Sequence, residues 1–130
     1  MIDTQAPRAF PALDGAEFML LTTFRRDGTA VGTPVWFAQV GDTLYVTTME
    51  PAGKVKRVRA NGRAVVAPCT ARGDLLGPDA PAEGRVLTPA EYPPAEAALR
   101  AKYPRLGSMI DNPQPGTPLR TFVALRPAAA

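Results

Sequence analysis

The sequence predicts a mostly-β fold, a small antiparallel barrel of about six strands with short helical insertions. Three observations lead there. Fifteen prolines and 11 glycines in 130 residues imply many turns and argue against a helix bundle. β-prone apolar segments recur between tight turn signals. The early connections are also too short for the crossovers that a parallel sheet requires. The length suits a single domain over 1–130, in which 1–12, with Pro7 and Pro11 and no periodicity, reads as an N-terminal arm.

The elements follow in order. Phe18 to Arg25 (FMLLTTFR) is a first strand. Arg26-Asp27-Gly28-Thr29 is a turn, since Asp-Gly between β-prone segments is a strong hairpin signal. The return strand spans about Ala30 to Val40. After Gly41-Asp42, Thr43 to Thr48 (TLYVTT) alternates again, which predicts a three-stranded meander. Lys54 to Ala60 (KVKRVRA) fits a short helix, with Val55 and Val58 on its core side and Asn61-Gly62 as its stop. Arg63 to Thr70 is a fourth strand. Leu75-Leu76 and Gly84 to Leu87 suggest a fifth, interrupted at 77–81. Thr88-Pro89-Ala90-Glu91 has the form of a capping box. A helix over about Pro94 to Tyr103, a loop over Asp111 to Pro118 and a last strand over Arg120 to Arg126 complete the chain.

The absences narrow the chemistry. There is no histidine and one cysteine, Cys69, which excludes Ser-His-Asp and Cys-His catalysis, histidine metal sites and an intrachain disulfide. Cys69 reads as a buried structural residue, because no histidine can activate it. The acids Asp27, Asp42, Asp74, Glu91 and Glu96 lack metal-ligand spacing, so no metal is expected. The start of the chain has neither the basic nor the apolar region of a signal peptide. No apolar run approaches the ~20 residues of a membrane span. A cytoplasmic protein without membrane contact is expected.

The net charge of +3 implies no polyanion partner. The distribution of charge says more: five cations lie in 54–63, and no acid occurs between Glu50 and Asp74. In Thr47 to Arg57 (TTMEPAGKVKR), two hydroxyls end a strand and a glycine precedes a basic helix. Free N–H groups, lysine charge and threonine donors together make phosphate-binding chemistry, although the Walker pattern is absent. A solvated basic helix face is the alternative. Gly32 to Trp36 (GTPVW) also has two readings. Pro34 in a strand belongs at an edge, with Trp36 in the core, or it marks a place where a planar ligand lies against Val35 and Trp36. Arg72-Gly73 could turn an arginine onto an anion, or be a plain surface turn.

The series LLTTFRRDGTAVGTPVWFAQVGDTLYVTT through GKVKRVRANGRAVVAPCTARGD resembles the pyridoxamine-5′-phosphate oxidase-like split β-barrel superfamily, and most closely its branch that binds the deazaflavin coenzyme F-420. The resemblance spans about 15–87 well and the last strand weakly. It implies a homodimer with the cofactor in a groove between subunits. By position, Thr33, Pro34, Val35 and Trp36 would lie along the ring system. Thr47, Thr48, Lys54 and Lys56 would hold the phosphate region, with Arg57 and then Arg72 as weaker candidates. Relatives often carry a small polar residue before the lysine helix, where this chain has Pro51-Ala52-Gly53. The lysine pair and PVWF favour the deazaflavin over FMN. The missing histidine argues against haem-degrading cousins, which use it as an axial ligand. It is harmless to hydride transfer, where the cofactor carries the chemistry.

The expected function is hydride transfer from the deazaflavin to a conjugated small-molecule substrate, with no protein group as catalyst. The alternatives are an FMN-binding oxidoreductase of the same fold, a non-catalytic flavin- or deazaflavin-binding module, and a basic nucleic-acid-binding barrel. The last is disfavoured because no recognised nucleic-acid motif accompanies the charge.

Overall fold

The computed structural model describes residues 9–49, 53–112, 114–116 and 120–128. Its strands are β1 (Phe18–Phe24), β2 (Ala30–Val35), β3 (Phe37–Val40), β4 (Thr43–Met49), β5 (Arg63–Cys69), β6 (Ala80–Val86) and β7 (Arg120–Pro127). Its helices are α1 (Gly53–Asn61), α2 (Tyr92–Lys102) and α3 (Pro104–Asp111). The strands form one antiparallel sheet in the order β2-β1-β5-β6-β7-β4-β3.

The sheet has seven strands rather than the expected six. The segment Ala30 to Val40 splits at Trp36, and its halves occupy opposite edges of the sheet. The expected meander therefore does not form. β1 and β2 make one hairpin and β3 and β4 another, and the two lie at opposite ends of the strand order. Because one residue joins the two edges, the sheet must curl into a barrel whose split lies at Trp36.

Alternation assigns the faces. Met19, Leu21, Val35, Phe37, Leu44, Val46, Val66, Val123 and Leu125 pack together inside the barrel. Ala38, Phe122 and Ala124 face outward and are covered by Leu87, Ala95, Leu99, Tyr103 and Leu106, with Trp36, Tyr45 and Tyr92 at the margin. The end of the expected arm belongs to the core. Phe10 is 3 % exposed, Leu13 is buried beside it, and Phe10 exchanges hydrogen bonds with the Gln39 side chain. Residues 1–8 of the expected arm lie outside the described residues.

The helix over the basic stretch forms as its spacing implies, with Val55 and Val58 buried. Gly62 ends it with φ +72° and donates to the Val58 carbonyl at 2.9 Å. A Cβ there would stand 2.9 Å from the Gly84 carbonyl oxygen, so glycine is required by space as well as by conformation. The capping box at Thr88 also forms. The Glu91 carboxylate accepts from Arg85 at 2.7 Å and from the Thr88 N–H at 3.0 Å, which hold its pKa down at about 2.

Other elements differ from expectation. Leu75 and Leu76 make no strand beyond a single bridge to Cys69, and β6 instead starts at Ala80. Pro81 is tolerated there because pairing with β7 begins only at Ala82. Helix α2 begins at Tyr92, before the expected Pro94. Helix α3 occupies 104–111, with Pro104 at its first turn, where a missing N–H costs nothing. Among the described residues, no helix is long and apolar enough to cross a membrane.

Candidate functional site

The predicted site residues separate into groups. Along 33–36, side chains alternate across the sheet. Thr33 and Val35 fall on the face of Leu21 and Met19, their ladder partners, and Val35 is part of the barrel core. Pro34 and Trp36 leave on the outer face. The expected wall of Val35 beside Trp36 is thus divided, and Trp36 supplies the outer surface. Pro34 sits on an edge strand, as its chemistry requires.

Thr47 and Thr48 likewise leave β4 on opposite faces. Thr48 follows Leu44 and Val46 inward, whereas Thr47 is opposite Phe122 and faces out. Phe37 opposite Val46 is the last pair of the β3–β4 ladder, so Trp36 and Thr47 are the next residue on each strand, on the same outer face. Arg120 completes this group. Its Nη1 donates to Thr47 Oγ1 at 2.8 Å, and partial burial lowers its pKa. The sequence reading missed Arg120, because a cation at the start of a strand carries no pattern that marks it as a ligand.

The second group surrounds the first turn of α1. Lys54 is partly buried, and desolvation followed by repulsion from Arg57 lowers its pKa. Arg57 is lowered by desolvation and by Arg25, the residue following β1. Arg57 Nε also donates to the fully buried Thr23 Oγ1 at 2.6 Å, and its guanidinium runs past Gly53, where a Cβ would meet Nη1 at 2.8 Å. Lys54, Arg57 and Arg25 therefore crowd the helix start. Such a cluster favours an anion: bound negative charge relieves the mutual repulsion and meets the N–H end of the helix. Arg25 was missed because a cation at the end of a strand carries no local pattern that marks it as a ligand. Lys56 is exposed, two residues further along.

Arg72 is exposed in the Thr70–Asp74 turn, where Gly73 packs near Pro34 and Leu20. This places it by β2, at the end of β1 away from Thr23 and Arg57. The structure does not bring it to the α1 cations. The two main groups are adjacent in the chain: four peptide links join Met49 to Gly53, a reach of at most about 14 Å.

The split between β2 and β3 is filled by Tyr103, just beyond α2. Its hydroxyl accepts from the Phe37 N–H at 3.1 Å, and its proton is shared between the carbonyls of Glu17 at 2.7 Å and Phe37 at 2.9 Å. Its ring stacks on Trp36 with centroids 4.6 Å apart and planes 7° from parallel. Burial pushes its pKa up to about 12, so the phenol stays neutral.

Comparisons with known proteins agree with this architecture. No curated protein matches the sequence. Among solved structures, an F-420 reductase shares 21 % identity, with 99 % of this chain and 97 % of that one covered and a TM-score of 0.58. The heme storage protein HutZ from Vibrio cholerae shares 13 % identity over 95 % and 93 % of the two chains, with a TM-score of 0.67. An FAD-binding protein from Mesorhizobium loti shares 18 % identity over 93 % and 88 %, with a TM-score of 0.63. At these identities the likeness shows a shared fold. A family model described as pyridoxamine 5′-phosphate oxidase matches residues 4–130. The chain belongs to the pyridoxamine 5′-phosphate oxidase family.

Proposed function

We propose that this protein is an oxidoreductase that binds the deazaflavin coenzyme F-420 and uses it to reduce a conjugated small molecule. The carrying observation is the cation cluster at the start of α1, one short connection from the outward Trp36–Thr47–Arg120 group. Lys54, Arg57, Arg25 and the first N–H groups of α1 would hold the cofactor's phosphate. Thr47 and Arg120 would supply further donors, and Trp36 a flat wall for the ring. The bound cofactor supplies the hydride. The chain's own work is to anchor, orient and exclude water, which needs no titrating side chain. The F-420 reductase among the structural neighbours supports the deazaflavin over FMN. Equilibrium titration with F-420 and FMN side by side tests the choice, and tighter FMN binding overturns it. Turnover with a panel of acceptors then separates an enzyme from a cofactor-binding module.

Trp36→Phe is expected to keep cofactor affinity and much of the rate, because a stack on Tyr103 survives. Trp36→Ala should lower the rate more than the affinity, since ring position fails before the phosphate anchor does. Steady-state kinetics with saturating reduced F-420, alongside direct binding, checks both.

The groove is completed by a second copy in this reading. Leu75 and Leu76, 59 % and 66 % exposed, put apolar surface beside the end of β5, as an isologous contact would require. Light scattering at micromolar concentration should give twice the chain mass, and a monodisperse monomer refutes the dimer.

A further inference from the structure

A cavity of about 470 Å³, within the range of small-molecule sites, opens beside the barrel's split. The stacked Trp36–Tyr103 pair forms part of its lining, with Trp36 the more exposed of the two rings. Lys102 at the end of α2 and Arg105 in the first turn of α3 bring two cations to its lining, and among the described residues Glu17 is the acid there. The Lys102 ammonium is held over the Phe37 ring at 3.5 Å from the centroid and 5.1 Å from that of Tyr103. These contacts fix a positive charge at the edge of an aromatic surface.

We propose that this cavity binds a planar, conjugated carboxylate, its π-system on the aromatic wall and its carboxylate between Lys102 and Arg105. An aromatic plane selects flat ligands by stacking. Two donors from adjacent helices that line one cavity suit the two oxygens of one carboxylate. Glu17 leaves the lining with a net positive charge and disfavours a cationic ligand. Desolvation lowers the Lys102 pKa to about 8, partly offset by Glu17, so near neutrality the amine remains mostly protonated. The inference is of a binding site in the cofactor-free protein and does not rest on the oxidoreductase reading above.

The test exploits the chain's single tryptophan. Cofactor-free protein is titrated with trans-cinnamate and with its neutral isostere cinnamamide, following Trp36 fluorescence and, independently, heat of binding. Cinnamate should bind about tenfold tighter or better, the size of one lost charge-assisted contact. The preference should vanish in Lys102→Met/Arg105→Gln, both surface substitutions, whose ligand-free Trp36 spectrum reports that the stack is intact. Equal affinity for the two ligands, an unchanged preference in the double variant, or no binding of either at millimolar concentration overturns the proposal. F-420 titration of the same preparation reports separately on the cofactor reading.

Discussion

Tyr103→Ala is expected to destabilise the protein by about 3–5 kcal/mol, the cost of deleting a large buried aromatic side chain. Tyr103→Phe separates the contributions. It keeps the ring on Trp36 but leaves the Phe37 N–H, on a residue 1 % exposed, without its acceptor. An orphaned buried donor costs about 1–3 kcal/mol. The phenol acts as an inserted strand neighbour, binding Phe37 on the β3 edge and Glu17 just before β1. Urea denaturation of the three proteins checks this, with the midpoint falling in the order wild type, Phe, Ala. A Phe variant as stable as wild type would show that water readily replaces the hydroxyl.

Lys54→Ala should weaken F-420 binding by roughly ten- to a hundredfold, equivalent to about 1.5–3 kcal/mol for a charge-assisted contact. Lys56→Ala, on the exposed side of the same helix, should change it little. The pH dependence has a definite sign. Desolvation and Arg57 lower the Lys54 pKa, so its ammonium is lost at a lower pH than in an ordinary lysine. Affinity for the anion therefore falls as pH rises into the alkaline range, and the fall should be shallower in Lys54→Ala. Equal affinities for the two alanine variants would refute the anion assignment.

Much of the fold was legible because local chemistry carried it. Asp27-Gly28 turns the first hairpin, with Gly28 at φ +90° and the Asp27 carboxylate accepting from the Thr29 N–H. Val55 and Val58 face α1 inward, and Gly62 stops it. The split at Trp36 was not legible, for a physical reason. Side chains keep alternating through Val35, Trp36 and Phe37 while the hydrogen-bonding partner changes from β1 to β4, and periodicity reports faces, not partners. Helix α3 was hidden between two prolines and a glycine that suggest loops. The same limit governs the site. Residue types and order marked Lys54 and Trp36. The partners that give them context, Arg25, Arg120 and Tyr103, arrive from distant strands and helices and leave no local signature.

The strand order also fixes when the barrel can close during synthesis. Both hairpins can form as soon as they are made, but β4 meets its inner neighbour β7 only across a sequence separation such as the 73 residues between Thr47 and Arg120. Pairings this remote close slowly and late. Until the final strand has left the ribosome, the β3–β4 hairpin is tethered through Trp36 with one flank of β4 unpaired. A chain that stops short of Arg120 would carry that open edge permanently, so removing residues 120–130 should convert a folded barrel into a sticky one.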